Sequence, residues 1–449
     1  MPTSRENIEK WSWKYWLVKV YQDFFFHLYY KTEIVGLEKL PPNTTLIFAL
    51  NHQNALMDAL AILAIRKNWQ PVFLARADIF KKTTTSKILT FFKIMPVYRI
   101  RDGYENLSLN DDIFRKTMDV LNNQNGLIIL PEGNHAGVKR LRQLKKGIAR
   151  IAFQAEDASN RTLNIHIVPV GLEYSNYVRF HSKLLIRIGE PFEIKKYLEL
   201  YYQNKALAYN ALMAELELGL KKEMINIDDE ENYDAYLYLI NLITPKFIES
   251  KRLPKTQNQQ FLINKKLIAQ LDGLKLNNET EFNSIIGKSK KLGALAKHYG
   301  INSRTVPISS KISYSLPLRA LILLLTLPLF IYGTAGNIIP IIIPYYLSVK
   351  FQDVQFYSSV RHAAGLILFP LTHIIQTVIL GLIVKDALLT LAYFVSLPVG
   401  AFVVYHWRCH FIKLAEALSM LRFSKAKPNG TKQINKLYAE LFNRVEKLL

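Results

Sequence analysis

The chain has 449 residues, 58 Lys+Arg against 36 Asp+Glu, a formal net charge of +22 and one cysteine. Half of it is hydrophobic and 21% is charged, which excludes wholesale disorder. The lone Cys409 excludes an intramolecular disulfide framework and any Cys-rich zinc module. The length suits two or three units. The charge calls for an anionic partner: nucleic acid, an anionic bilayer or a phosphorylated substrate.

The first 32 residues hold an aromatic run (Trp11, Trp13, Tyr15, Trp16, Tyr21, Phe24, Phe25, Phe26, Tyr29, Tyr30) interrupted by Lys14 and Lys19. This mix of Trp, Tyr and Lys predicts an amphipathic helix lying at the headgroup level of a membrane, over 1–32. No cleavable signal peptide is visible in the polar first ten residues.

From residue 33, short apolar runs alternate with helical patterns. Thr44–Leu50, Pro71–Arg76, Leu127–Pro131, Ile165–Leu172 and Lys183–Ile188 read as strands. Leu56–Ile65, Asp112–Leu121 and Lys146–Gln154 read as helices between them. The alternation predicts a layered α/β domain over 33–249. Polar clusters follow the strands: Asn51-His52, Arg76-Ala77-Asp78, Arg99-Ile100-Arg101 and Glu132-Gly133-Asn134-His135. Strand ends are where α/β folds gather ligands. His52 and Asp58 are six positions apart, about 240° on an ideal helix. His52 is therefore expected on the loop, with Asp58 reaching back from the first turns of the helix. Such a pair supplies a general base and the acid that fixes its tautomer. An ordinary surface histidine beside a helix-start Asp is the competing account.

Residues 250–315 read as a basic helical connector; residues 246–319 carry 14 basic and 4 acidic residues. The membrane region is placed at 316–410. There, 320–349, 362–384 and 387–407 carry no formal charge, and about 20 apolar residues suffice to cross a bilayer. The last two stretches fit as spans. The first, about 45 Å if straight, is broken by Pro328, Gly333, Gly336, Pro340 and Pro344. It is expected to be bent, re-entrant or interfacial. Basic blocks on both sides of the region argue for an even number of crossings and cytoplasmic flanks. Two spans are expected, or four if 320–349 is a short hairpin. The tail, 411–449, repeats Ile434, Leu437, Leu441, Val445 and Leu448 at helical spacing. It is expected as a basic amphipathic helix for the bilayer surface or the catalytic domain.

Four motifs in order carry a resemblance. Asn51-His52 with Asp58, Val97-Tyr98-Arg99, Leu130-Pro131-Glu132-Gly133 and Val168-Pro169-Val170-Gly171 resemble those of the glycerolipid acyltransferase family, over residues 30 to 200. Five residues rather than four separate His52 from Asp58, and Pro-Glu-Gly continues as Asn134-His135. Both features, and Arg76-Ala77-Asp78, resemble the fungal-type glycerol-3-phosphate/dihydroxyacetone-phosphate subgroup.

The resemblance implies a membrane enzyme moving an acyl group from acyl-CoA or acyl-ACP to a glycerol-phosphate acceptor. The acceptor read first is 1-acylglycerol-3-phosphate, giving phosphatidate. Glycerol 3-phosphate or another lipid is the alternative, and a non-catalytic lipid-binding membrane protein the rival from another class. His52 would take the acceptor hydroxyl proton and Asp58 would hold His52. Arg99 and Arg101 would grip the acceptor phosphate, since guanidinium matches phosphate bidentately. Glu132 and Gly133 would close the glycerol side, with Lys145 or Lys146, from the Lys145-Lys146-Gly147 match, near the site. No cofactor, metal or nucleic acid is called for. His406, Cys409 and His410 lack further ligands for a metal site. Gly287-Lys288-Ser289 lacks the earlier glycine of a nucleotide loop. The catalytic domain is expected on the cytoplasmic face of a membrane.

Overall fold

The computed structural model describes residues 6–98, 109–302, 305–309 and 315–449. It divides into two compact units, Met1–Asn226 with Ser348–His362, and Ile227–Leu347 with Ala363–Leu449. These limits differ from 33–249. The helix after residue 227 packs with the second unit, and a short segment from beyond residue 347 joins the first.

The first unit is a mixed sheet with helices on both faces. Its strands are β1 (Tyr30–Val35), β2 (Thr45–Leu50), β3 (Val72–Arg76), β4 (Ile94–Val97), β5 (Leu127–Ile129), β6 (Ile165–Tyr174), β7 (Ser182–Ile188) and β8 (Phe192–Glu193). The order is β1-β7-β6-β2-β5-β3-β4, with β8 also beside β6. Strands β6, β2, β5, β3 and β4 run parallel, whereas β6 and β7 are antiparallel. The helices are α1 (Trp13–Tyr29), α2 (Leu56–Leu63), α3 (Thr83–Phe91), α4 (Leu109–Asn122), α5 (Gly147–Ala158), α6 (Leu198–Gln203) and α7 (Lys205–Glu223).

Strand β2 shows why both faces are covered. Ile47 and Ala49 join a core containing Phe153, Ile165, Leu212 and Leu216, while Phe48 and Leu50 join one containing Phe26, Met57, Ile62 and Val168. Period-2 alternation of apolar residues on both faces is the pattern of a sheet buried between helix layers.

The Val168-Pro169-Val170-Gly171 motif is packed into this framework. A Cβ on Gly171 would lie 1.8 Å from the Glu223 carbonyl oxygen, and Cβ atoms on Gly189 or Gly219 would lie 2.9 Å from Pro169 Cγ. The motif lets the end of α7 approach the sheet backbone.

The second unit is helical: α8 (Tyr233–Ser250), α9 (Gln257–Asn277), α10 (Glu279–His298), α11 (Ser315–Leu325), α12 (Leu327–Val349), α13 (Phe356–Val384, from Ala363 onward), α14 (Ala387–Ala426) and α15 (Pro428–Glu446). Helices α12, α13 and α14 are long and apolar enough to cross a membrane. The 320–349 stretch does break, between α11 and α12, but α12 alone has 23 residues, sufficient length for a span. Leu382, Ile383 and Leu388 are all more than 70% exposed, an arrangement water would penalise. The unit is built for integration into a bilayer.

Helices α12 and α14 meet where a Cβ on Gly333 would stand 2.6 Å from the Gly400 carbonyl oxygen. Asn337 Nδ2 donates to Leu397 O at 3.0 Å, and its Oδ1 lies 2.8 Å from His373 Nε2. Small residues and buried amides of this kind join helices in lipid.

The tail is a correction. Ile434, Leu441 and Val445 are fully buried because α15 packs on α8 and α10 of its own unit. Lys288 pairs with Glu440 there, and Arg444 Nη1 lies 2.7 Å from Glu281. Its apolar stripe is consumed by these helices of its own unit rather than left open for a bilayer surface. The helix before it, α14, runs without interruption through residue 410 to Ala426.

Candidate active site

Strands β2 and β5 are parallel neighbours, in register from Ile47–Leu127 to Ala49–Ile129. Their C-terminal ends therefore emerge together, one followed by Asn51-His52, the other by Pro131-Glu132. Asn51 is fully buried and its side chain clamps β6: Oδ1 accepts from Leu172 N at 2.7 Å and Nδ2 donates to Leu172 O at 3.2 Å. The asparagine of the Asn-His motif thus fixes the strand end from which His52 departs.

His52 lies on the loop before α2, and Asp58 in the first turn of α2. His52 Nδ1 is 2.9 Å from Asp58 Oδ2. The same oxygen accepts the backbone N–H groups of Gln53 and Asn54 at 2.8 and 2.7 Å. The Tyr174 hydroxyl donates to Asp58 Oδ1 at 2.8 Å. Asp58 is fully buried, and these four bonds are what permit it. Burial, with the nearby Asp58 charge, holds the Tyr174 phenol well above its ordinary pKa, so its hydroxyl remains a donor. An Nδ1–H given to a carboxylate leaves Nε2 as the basic atom of the neutral ring. In the turn between His52 and Asp58, Ala55 adopts φ 45°.

Two backbone N–H groups tie this loop to the one after β5. The His52 N–H donates to Glu132 Oε1 at 2.7 Å, and the Ala136 N–H to His52 O at 3.2 Å. Glu132 Oε2 accepts from Arg142 N at 3.3 Å. Burial pushes the Glu132 carboxyl from its ordinary 4.5 up to about 7, although both N–H donors pull it down. Gly133 turns the chain with φ 69°, a value that favours glycine.

A match to a known family falls on this same segment. Residues 31–173 match the acyltransferase family model. This segment is an acyltransferase domain, similar to those of glycerolipid acyltransferases. Glycerol-3-phosphate O-acyltransferase 1 of Saccharomyces cerevisiae is 27% identical over 145 residues, 32% of this chain and 19% of the yeast protein. A chloroplastic 1-acyl-sn-glycerol-3-phosphate acyltransferase of Brassica napus is 25% identical over 159 residues, 35% of this chain and 42% of its own. The chain thus spans less than half the length of these relatives. Among solved structures, the 1-acyl-sn-glycerophosphate acyltransferase of Thermotoga maritima matches with a TM-score of 0.33 and 18% identity, over 46% of this chain and 78% of that one.

Of the residues singled out in the sequence, the acyltransferase domain brings together His52, Asp58, Glu132 and Gly133. Lys145 joins them through its backbone N–H, which donates to Pro131 O at 2.8 Å. A Cβ on Gly133 would be 3.5 Å from Lys145 Cγ. Lys146 is exposed at the start of α5. Arg99 and Arg101 lie outside the described residues. Two neighbouring cations serve the framework: Lys139 pairs with Glu173, and Arg142 Nη1 reaches the carbonyl of His135 at 3.4 Å.

Sequence reasoning missed Tyr174, although it shares a strand face with Val170 and Leu172, four and two positions earlier. It also missed Asp353, Phe356 and Ser358, which no local pattern connects to residue 52.

Proposed function

We propose that the chain transfers a fatty acyl group from a thioester donor, acyl-CoA or acyl-ACP, to the hydroxyl of a glycerol-phosphate acceptor. The observation carrying this reading is the 2.9 Å contact between His52 Nδ1 and the buried Asp58, at the C-terminal ends of the parallel strands β2 and β5. His52 Nε2 takes the acceptor proton as its oxygen attacks the thioester carbonyl. Carbon–sulfur cleavage then expels the thiolate, which takes the proton from His52. Asp58 holds the ring and stabilises its charged form. The donor is already activated, so no enzyme nucleophile is needed. Glu132 and Gly133 bound the glycerol side, Lys145 or Lys146 adds positive charge, and Arg99 and Arg101 take the acceptor phosphate.

The first acceptor is 1-acylglycerol-3-phosphate, the substrate class named for the Brassica relative. Glycerol 3-phosphate is a second reading, favoured by His135 after Pro-Glu-Gly and by the name of the yeast relative. Purified protein given labelled acyl-CoA or acyl-ACP with each acceptor in parallel separates the two. Phosphatidate formed only from the lysolipid supports the first, and lysophosphatidate formed from glycerol 3-phosphate supports the second.

The catalytic domain is assigned to the cytoplasmic face by the basic flanks of the apolar helices, an assignment that requires α12, which contains Pro340 and Pro344, not to make a third crossing. Helix α1 serves as an interfacial anchor. Its Lys19–Asp23 pair is turned inward, while Trp13, Leu17, Tyr21 and Phe24 are exposed. That inversion suits a lipid surface. A tag after Leu449 that is accessible only from outside the cell would overturn the topology.

A further inference from the structure

Residues 348–362, which comprise the end of α12, the link after it and the first two turns of α13, belong to the sheet unit. They reach the wall of the site at several points. Asp353 Oδ2 lies 2.7 Å from His135 Nε2. The Phe356 ring meets the His135 ring edge-to-face at 4.8 Å. The Gln355 amide, oriented so that both ends are satisfied, bonds Asp353 through its nitrogen and accepts the Gly137 N–H at 2.9 Å. Ser358 donates to Asn54 Oδ1 at 2.8 Å, within the turn that holds Asp58. On its other side, His135 stands edge-to-face with His52, centroids 5.4 Å apart.

We propose that His135 is a second acceptor-contacting imidazole, and that Asp353 is the positioning residue that aims it. This rests on the acyl-transfer reading above. A carboxylate accepts only, so the His135 Nε2–H is committed to Asp353 and Nδ1 is the ring atom left for substrate. The ring is wedged between His52 and Phe356 and does not turn freely. An acceptor hydroxyl within hydrogen-bond distance of His52, about 2.8 Å, lies beside this second ring. A neighbouring oxygen of the same polyol phosphate then receives a hydrogen bond from His135 Nδ1 when the ring is protonated, or donates one to it when neutral. His135 holds the acceptor while His52 alone moves the reacting proton. The site of the acyltransferase domain is thereby completed by the segment that joins α12 to α13.

The test uses the full chain in detergent micelles, with acyl-CoA and each glycerol-phosphate acceptor varied in turn. Asp353→Asn and Asp353→Ala are expected to raise the acceptor KM about ten- to hundredfold, the value of a charge-assisted hydrogen bond, with the donor KM unchanged. Asp353→Glu should recover part of the loss. The double variant Asp353→Ala with His135→Ala should be no worse than His135→Ala alone. Lys350→Ala, on the same segment, should match wild type. An Asp353→Asn enzyme with wild-type acceptor KM overturns the proposal, as do independent, multiplying effects of the two residues. Loss of the folded chromatographic profile in Asp353→Asn would make the pair structural and also overturn it. A wild-type protein that transfers no acyl group defeats the acyl-transfer reading itself. An active wild type indifferent to Asp353 defeats this inference only.

Discussion

The Tyr174 hydroxyl donates to Asp58 Oδ1 at 2.8 Å from the last residue of β6, 116 positions along the chain. It is the donor that satisfies the carboxylate oxygen not used by His52. Removing it leaves a fully buried carboxylate with one oxygen short of a partner. Tyr174→Phe should therefore lower stability by about 1.5–3 kcal/mol, read as a lowered thermal midpoint. Turnover should fall less than in a His52 variant, because the Gln53 and Asn54 N–H groups still fix Asp58. Wild-type stability in Tyr174→Phe would contradict this account of how Asp58 is buried.

Glu132 gives a pH signature. Its carboxyl titrates near 7 in the folded chain against an ordinary 4.5, chiefly because of burial. Between these values the folded state binds the proton and the unfolded state does not. Stability contributed by the protonated form is thus fully present below about 4.5 and is lost as pH rises through 7. The loss is at most about 3 kcal/mol. Thermal midpoints measured from pH 4.5 to 7.5 should decline by this component in wild type, and Glu132→Gln should remove it. Identical pH profiles for the two proteins would contradict the assignment.

Gly171 tests the packing role of the Val-Pro-Val-Gly motif. A methyl group there would meet the Glu223 carbonyl, which is backbone and cannot rotate away. Gly171→Ala should cost roughly 1–3 kcal/mol or prevent folding. Gly273→Ala is the comparison: it lies inside α9, where an added Cβ meets nothing within 4 Å. That substitution should stabilise by up to about 1 kcal/mol. Equal effects at the two positions would remove the packing argument.

The elements legible in the sequence were those whose residues carry their own pattern. Strands β2, β3, β5, β6 and β7 are apolar runs between turns and lie within a few residues of where the sequence places them. Strand β1, Tyr30-Lys31-Thr32-Glu33-Ile34-Val35, was not separable from the aromatic helix before it, because Lys31, Thr32 and Glu33 break the apolar run by which the other strands are read. Strand β4 is four residues long and contains Pro96, a residue that argues against a strand. The His52–Asp58 relationship was legible because both partners lie within eight residues on a strand-to-helix turn. The partners of His135 were not, since 218 positions separate it from Asp353. The one available sign was a lone acid between two apolar stretches, a placement that in membrane proteins marks function.

The central claim is that His52 is the base for acyl transfer. The direct measurement is transfer of a radiolabelled acyl group by the purified full-length protein, wild type beside His52→Ala, with glycerol 3-phosphate and 1-acylglycerol-3-phosphate supplied in parallel. Wild type is expected to acylate at least one acceptor. His52→Ala should lose about 10²–10⁴-fold in turnover while keeping the same chromatographic profile and thermal midpoint. Unchanged turnover in His52→Ala, or a folded wild type that acylates neither acceptor, would contradict it.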